Sequence, residues 1–286
     1  MTSSNRTLNF INNYAIKLNQ SGISNAKREI IWYLESCKIL SEEKLYTNQI
    51  HLNNKLKSAI IFFFNQRITH KPFQYIVKQS NYYGRNFYIN KNVLIPRPET
   101  ETFIRHIINK KYNKALEIGT GSGIIAITLI LEKIVNHIVA TDISDQALII
   151  AKRNIKKYNI SKRISLLKHN FILDGLKKQS FDLVISNPPY IAKDTYHNLP
   201  QHIKNYEPRL ALTDEQDGLV FYRRFAQCLP DILNKRGILL CEFGDIQALS
   251  KIKKIFTEKG YFFKTINDYD NVPRILKVGL YDIKNN

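Results

Sequence analysis

The stretch that decides the fold is Leu116-Glu117-Ile118-Gly119-Thr120-Gly121-Ser122-Gly123, in which a short apolar run enters a glycine-rich loop. The apolar residues 124–127 follow at once and are typical of a buried helix. The three glycines allow a tight turn from strand to helix and let a ligand approach the backbone closely. The stretch therefore predicts a strand–loop–helix unit with a ligand at the carboxyl end of the strand.

Short apolar runs alternate with helical patterns on the carboxyl-terminal side of this unit, which predicts an α/β fold with a parallel sheet and helices on both of its faces. The candidate strands are 115–118, 138–142, 164–167, 181–186, 237–243 and 275–281.

Residues 1–70 have helical patterns only, with apolar positions on one face of 25–40 and of 54–68. Turn residues at Tyr83-Gly84 with aromatic and β-branched flanks predict a β-hairpin. We therefore expect a small helical domain over 1–70, a hairpin linker over 71–95 and the α/β domain over 96–286.

The composition excludes several classes of protein. Of the 286 residues, 44% are hydrophobic and 23% are charged, which is globular, and no apolar run approaches the ~20 residues of a membrane span. Neither a signal peptide nor metal-like cysteine spacing is visible, so we expect a cytoplasmic protein that needs no metal and no membrane. The formal net charge of +19 fits either a solvated basic surface or an anionic partner such as nucleic acid.

The second candidate strand ends in Asp142, whose carboxylate can accept hydrogen bonds from both hydroxyls of a ribose. The loop has the spacing Gly-x-Gly-x-Gly with Glu117 two residues before it, whereas a dinucleotide site has Gly-x-Gly-x-x-Gly and presents a helix N-terminus to a pyrophosphate. A sulfonium tolerates an acidic neighbour, so these residues favour S-adenosylmethionine over a dinucleotide.

The fourth candidate strand runs into Asn187-Pro188-Pro189-Tyr190, a turn made rigid by two prolines. The Asn187 side-chain oxygen and the Pro188 carbonyl are two acceptors that can hold both N–H groups of a planar NH₂ in line with an activated methyl group. Tyr190 can lie flat against the planar group. The turn predicts methyl transfer to such a nitrogen. Adenine N6, cytosine N4, guanine N2 and a glutamine amide all remain open as acceptors.

Nearly the whole chain resembles the release factor glutamine methyltransferases, the HemK or PrmC family. Besides the glycine loop, Asp142 and the Asn187–Tyr190 turn, two segments carry the resemblance most specifically: Leu94-Ile95-Pro96-Arg97-Pro98-Glu99-Thr100-Glu101 and Tyr206-Glu207-Pro208-Arg209-Leu210-Ala211-Leu212. Further matches lie at 71–76, at the hairpin, at 217–219, at 222–224 and at Glu242-Phe243-Gly244.

The resemblance implies a Rossmann-like, seven-stranded class I methyltransferase sheet behind a helical substrate-recognition domain and a linking hairpin. It also implies N5-methylation of the glutamine in the Gly-Gly-Gln motif of class 1 peptide-release factors, with S-adenosylhomocysteine as the product. The cofactor residues so implied are Gly119, Thr120, Gly121, Ser122, Gly123, Asp142, Phe171 and Asn187. The substrate residues are Asn187, Pro188, Pro189 and Tyr190, of which Asn187, Pro188 and Tyr190 are expected to serve catalysis.

One departure concerns the end of the third strand, where the family has an acid and this chain has Asn170 between His169 and Phe171. Because the amide oxygen of Asn170 can still accept a hydrogen bond, we expect an altered or weaker adenine contact rather than lost binding. We expect His169 to lie at the surface, and Glu99 and Glu101 to have structural roles. The alternatives are a ribosomal-protein glutamine methyltransferase, a nucleic-acid adenine N6-methyltransferase and a non-catalytic RNA-binding module. We expect a monomer that does not require nucleic acid.

Overall fold

The computed structural model describes residues 3–41, 43–44, 51–175, 178 and 180–281. Its contacts divide the chain into two compact units, 1–79 and 80–286. Among the described residues, no helix combines the length and the apolar character that crossing a bilayer requires.

The first unit is helical in its described part, as predicted. Its helices are α1 (Ser3–Gln20), α2 (Ala26–Ser36), α3 (Asn54–Arg67) and α4 (Phe73–Val77). The Asn53 side chain caps α3 by accepting a hydrogen bond from Leu56 N at 2.9 Å. Arg67 donates to Glu29 across 2.6 Å and so joins α3 to α2. The core consists of apolar residues from α1, α2 and α3, among them Leu18, Ile30, Leu34, Ile60 and Phe63.

The predicted hairpin is formed by β1 (Gln79–Tyr82) and β2 (Arg85–Tyr88), and all of it except Gln79 lies in the second unit. Tyr83 and Gly84 both have positive φ, 49° and 70°, as the tight two-residue turns of hairpins require. Tyr82 and Phe87 are fully buried. The contacts place the hairpin with the second unit, while its role as a linker stays a prediction.

A seven-stranded sheet forms the centre of the second unit, in the order β5-β4-β3-β6-β7-β9-β8. Its strands are β3 (Tyr112–Ile118), β4 (Val135–Asp142), β5 (Ile164–Lys168), β6 (Phe181–Ser186), β7 (Leu233–Glu242), β8 (Phe262–Asn267) and β9 (Pro273–Gly279). The predicted seven-stranded, Rossmann-like sheet is confirmed; at one edge, however, β9 runs antiparallel to both β7 and β8, which the alternation of strands and helices alone did not indicate. The prediction also missed β8, an edge strand with half-exposed residues and no continuous apolar run.

Helices cover both faces of this sheet and create two apolar layers. One layer holds α6 (Ile124–Leu131) against β3 and β4, with Ile125, Ile127 and Leu129 buried. The other holds α10 (Val220–Ile232) against β6 and β7, with Phe225 and Leu229 buried. The remaining helices are α5 (Thr102–Ile107), α7 (Asp145–Lys157), α8 (Lys193–Tyr196), α9 (Gln201–Tyr206) and α11 (Ile246–Thr257), with 3₁₀ turns at Pro98–Glu101 and Arg209–Ala211.

Candidate active site

Strand order places the site at the carboxyl end of β3. From β3 the chain continues outward through β4 and β5, then returns to the other side of β3 with β6, so the direction of winding reverses between β3 and β6. Such a reversal opens a crevice where α/β sheets bind ligands. Ile118 is in register with both Thr141 and Ser186. The loop after β3 therefore lies between Asp142 and Asn187.

The glycine loop has the conformation that its sequence predicts. Gly119, Gly121 and Gly123 have φ values of 74°, 56° and 81°, in the left-handed region that favours glycine. The amides of Gly119 and Thr120 donate to the Thr141 carbonyl at 2.9 and 2.8 Å, which anchors the loop to the end of β4. A Cβ on Gly123 would lie 3.2 Å from Ile127 Cδ1 and 3.4 Å from Ala151 Cβ, so this glycine also allows the start of α6 to lie close to the helix Asp145–Lys157.

Asp142 faces the glycine loop. Its carboxylate accepts hydrogen bonds from the backbone N–H groups of Gly121 at 2.8 Å and of Ser144 at 2.9 Å. Burial raises the pKa of Asp142, and these hydrogen bonds oppose that rise by stabilising the carboxylate. The side chain is thus held in a fixed position as an acceptor beside the loop.

Glu117 lies under the loop rather than in the crevice. It is 1% exposed, and its Oε2 accepts a hydrogen bond from Thr120 Oγ1 at 2.6 Å. Its Oε1 has no hydrogen-bond partner within the described part of the chain. Burial raises the pKa of Glu117 to about 8, and the charge of Asp142 adds to this shift. Glu117 supports the Thr120 side chain from below.

A cavity of about 420 Å³ opens at the carboxyl edge of the sheet. Of the predicted site residues, the cavity brings together Gly119, Thr120, Gly121, Ser122, Asp142, Phe171, Asn187 and Pro189. Gly123, Pro188 and Tyr190 do not line it. Phe171 is 4% exposed, because its ring packs 4.6 Å from the ring of Phe225, and it forms a wall of the cavity.

The end of β5 differs from the sequence prediction. The Asn170 side-chain oxygen accepts from the backbone N–H groups of Ile172 at 3.1 Å and Leu173 at 3.2 Å, which occupies both lone pairs of an amide oxygen. These local hydrogen bonds compete with any bond from an adenine, and the altered adenine contact at this position stays a prediction. His169 was expected at the surface, yet it lines the cavity, and both ring nitrogens are buried without a hydrogen-bond partner among the described residues.

These features fit a nucleoside-containing methyl donor. The orphaned imidazole nitrogens of His169 offer polar contacts, Asp142 offers a carboxylate, and the loop offers backbone with no side chain at Gly121, where an added Cβ would meet nothing within 4 Å. A largely apolar cleft with a few fixed polar groups is the usual form of a small-molecule site.

The Asn187–Tyr190 turn forms the opposite wall. Ser186 donates to the Ile118 carbonyl at 2.8 Å, so the end of β6 is tied to the end of β3. Asn187 is half-buried, and its Nδ2 donates to Thr100 Oγ1 across 3.3 Å. Burial raises the pKa of Tyr190, so the phenol stays protonated near neutral pH. The turn presents Asn187 and Pro189 to the cavity.

Two glycines that the sequence analysis did not assign to the site surround Tyr190. A Cβ on Gly244 would lie 2.9 Å from Tyr190 Cζ and 3.0 Å from Cδ2, so only glycine lets the ring lie against this backbone. A Cβ on Gly218, whose φ is 78°, would collide with the Tyr190 carbonyl oxygen. Both glycines lie in segments that resemble the family. That resemblance was the only feature of the sequence that could have assigned them to the site.

The two family-specific segments meet at the mouth of the cavity. Glu207 is 5% exposed and accepts from the Ile95 backbone N–H at 3.2 Å and from Arg97 Nη2 at 2.5 Å. Pro96, Arg97, Pro208 and Leu210 consequently line the cavity together. Glu99 and Glu101 do not line it. Glu101 accepts from the Tyr83 backbone N–H at 2.7 Å, a structural contact.

Three comparisons identify the relatives of the chain. Residues 98–206 match the methyltransferase small domain family. The release factor glutamine methyltransferase of Clostridium botulinum is 34% identical over 85% of this chain and 89% of its own length. The bifunctional methyltransferase of Rickettsia bellii is 32% identical over 96% of this chain and 55% of its own length. The chain thus spans about half the length of the bifunctional relatives.

The fold has solved counterparts. A methyltransferase from Pyrococcus furiosus superposes with a TM-score of 0.53 at 21% identity, covering 75% of this chain and 95% of its own. The seven-stranded sheet with helices on both faces is therefore the Rossmann-like class I methyltransferase fold. From its similarity to relatives over most of both chains, the protein belongs to the release factor glutamine methyltransferase family.

Proposed function

We propose that this chain transfers a methyl group from S-adenosylmethionine to the side-chain amide nitrogen of the glutamine in the Gly-Gly-Gln motif of class 1 peptide-release factors. The observation that carries the proposal is that the glycine loop, Asp142 and the Asn187–Tyr190 turn meet at one cavity. The choice of methyl acceptor, a glutamine of a release factor, is supported by the names of the relatives.

The donor would be held by Gly119–Gly123 and Asp142, beside Phe171 and bordered by Asn187. When bound, S-adenosylmethionine supplies an electrophilic methyl group. Asp142 is already fixed by two backbone N–H groups as an acceptor for ribose hydroxyls. The cavity wall from His169 to Leu173 would surround the base and exclude water from it.

Asn187 and Pro188 would hold the acceptor. A glutamine amide nitrogen is a weak nucleophile because its lone pair is delocalised. The Asn187 side-chain oxygen and the Pro188 carbonyl oxygen accept hydrogen bonds from its two N–H groups, which orients the lone pair along the line of attack. Tyr190, protonated and held by Gly244, packs against the planar amide. No strong base is needed beforehand, because the nitrogen loses its proton readily once it is alkylated.

The partner of the site is then a release factor, with no requirement for nucleic acid or a membrane. A cytoplasmic location follows from a partner that acts in translation, and we expect the chain to work as a monomer. The net charge of +19 is the observation that favours the second candidate, methylation of adenine in a nucleic acid.

The decisive experiment supplies labelled S-adenosylmethionine together with one of four acceptors: a purified class 1 release factor, its Gln-to-Ala variant at the Gly-Gly-Gln motif, a ribosomal-protein preparation, or DNA. Label that appears in the release factor and disappears in its variant supports the proposal. Label in ribosomal protein or DNA, with none in the release factor, contradicts it and identifies the alternative.

A further inference from the structure

The amide of Asn187 has two ends with opposite hydrogen-bonding character, and the proposed chemistry uses the oxygen. The side chain works only if Oδ1 faces the acceptor and Nδ2 faces the protein, yet the two orientations have almost the same shape. In the structure Nδ2 points at Thr100 Oγ1, 3.3 Å away. Thr100 is 2% exposed, and its backbone carbonyl is held separately by the Tyr82 hydroxyl at 3.0 Å.

A buried carboxyl group lies behind this pair. Glu242 is the last residue of β7, and the register of β6 with β7 pairs Ser186 with Cys241, which places Glu242 next to Asn187. Glu242 is 3% exposed, and its Oε2 has no hydrogen-bond partner within the described ranges. Polar contacts from the side chains of Thr100 and Asn187 both stabilise its ionised form.

Two charged groups that act on Glu242 oppose each other: Glu99 raises its pKa and Arg274 lowers it. Other titratable groups that interact with Glu242 include Tyr82, Tyr190, Tyr222 and Cys241. Burial raises the pKa of all four, so they are neutral near pH 7. Glu242 is thus a buried carboxyl group beside the Asn187 amide.

We propose that Thr100 and Glu242 are positioning residues that select the orientation of the Asn187 amide, so that its nitrogen faces them and its oxygen faces the substrate nitrogen. The proposal rests on the function proposed above for this site. A carboxylate accepts hydrogen bonds and repels an amide oxygen, so it disfavours the reversed orientation. The Thr100 hydroxyl accepts from Nδ2 and donates its own proton toward Glu242.

The protonation state of Glu242 matters for this selection. A protonated carboxyl group carries an O–H donor, which can pair with Asn187 Oδ1 and hold the amide the wrong way round. Burial raises the pKa of Glu242 to about 7. Selection is therefore strongest above neutral pH and weakens below it.

The test compares Thr100→Val, which removes the hydroxyl at nearly constant volume, with Thr100→Ser, which keeps it. Thr128→Val is the matched control, because Thr128 is also fully buried and its hydroxyl has no hydrogen-bond partner in the described part of the chain. We expect Thr100→Val to lower kcat for release-factor methylation about tenfold or more, with little change in the Kd of the donor. Thr100→Ser should recover most of the loss, and Thr128→Val should retain wild-type kcat.

Glu242→Gln provides an independent readout. Glutamine offers both a donor and an acceptor at every pH, so it does not discriminate between the two orientations of Asn187. With both substrates saturating, wild-type kcat should fall as the pH drops through about 7, whereas the Glu242→Gln enzyme should have a lower kcat without that fall.

The outcomes separate this inference from the proposed function. If the wild-type protein does not label the glutamine, the proposed function fails. If it does, and Thr100→Val keeps its kcat or Glu242→Gln keeps the wild-type fall at low pH, the orientation mechanism is wrong while the function stands. A loss in Thr100→Val that Thr100→Ser does not recover also overturns it, since the hydroxyl would then not be the cause.

Discussion

Asn187 is the residue on which the proposed chemistry depends most directly, since its side-chain oxygen is the acceptor that the substrate nitrogen needs. Asn187→Ala should reduce kcat by about 100-fold or more, the size of effect seen when one preorganised polar group is removed from a reacting centre. The Kd of the donor should change little, because the glycine loop and Asp142 remain. Single-turnover methylation and isothermal titration measure the two quantities.

The control for this prediction is Asn136→Ala. Asn136 is exposed and its Nδ2 contacts only Asn113 Oδ1, at 3.3 Å, among the hydrogen bonds described for that side chain. Retained turnover in Asn187→Ala, or an equal loss in both variants, would remove Asn187 from its assigned role.

Glu117 leads to a prediction about stability and pH. Its pKa in the folded state is raised to about 8, above the ordinary value of 4.5, so the folded state holds this proton more tightly than the unfolded chain does. The corresponding stability is fully present below pH 4.5 and is lost as the pH rises through about 8. The full loss is on the order of 5 kcal/mol.

In Glu117→Gln the side chain is neutral at every pH tested, so it cannot ionise. The glutamine oxygen can still accept the hydrogen bond that Thr120 donates. Urea unfolding at pH 5, 7 and 9 should therefore show a smaller loss of unfolding free energy with pH for the variant than for the wild type. Parallel curves for the two proteins would mean that Glu117 is already ionised in the folded state at pH 5.

At the scale of elements, the turn after β6 depends on the loop after β7. A methyl group on Gly244 would lie within 3.0 Å of Tyr190 Cδ2, so the ring has to leave its place. We expect Gly244→Ala to lower kcat/KM for the release factor about tenfold or more, since misplacing a substrate-positioning group costs that much, with the donor Kd nearly unchanged. Steady-state kinetics at saturating donor measures it.

Gly175→Ala is the matched control, because an added Cβ there would meet nothing within 4 Å. Tyr190 should move in a crystal structure of Gly244→Ala and stay in place in Gly175→Ala. An unchanged ring position together with wild-type kinetics in Gly244→Ala would show that the close approach of the two segments is unimportant.

Some elements of the site could be predicted from the sequence and others could not. The glycine loop, the acid at the end of β4 and the diproline turn after β6 could be predicted, since each is a local pattern at the end of a strand. Thr100 and Glu242 could not be assigned, because their proximity to Asn187 follows from the register of β6 with β7 and from a turn far away along the chain. The two backbone hydrogen bonds that the Asn170 oxygen accepts could not be predicted either, because they depend on the conformation of a local turn.

The strands at the edge illustrate the same limit. β8 has alternating exposure and no continuous apolar run, so its sequence resembles a connecting segment until β9 pairs with it. The central strand β6 is buried along almost its whole length and was predicted with its observed bounds. Almost complete burial thus made β6 easy to predict, whereas β8 has no such pattern.

At the scale of the whole molecule, every residue that lines the cavity lies between Asn92 and Phe221, in the second unit. We therefore expect residues 80–286 alone to bind the donor with a Kd close to that of the full chain. If residues 1–79 recognise the partner, as the helical domain was predicted to do, their removal should raise KM for an intact release factor at least about tenfold. It should leave KM for a short Gly-Gly-Gln peptide unchanged.

Titration calorimetry of donor binding and methylation kinetics with both acceptors test these two expectations. Equal KM values of the two proteins for the intact release factor would assign partner recognition to the second unit.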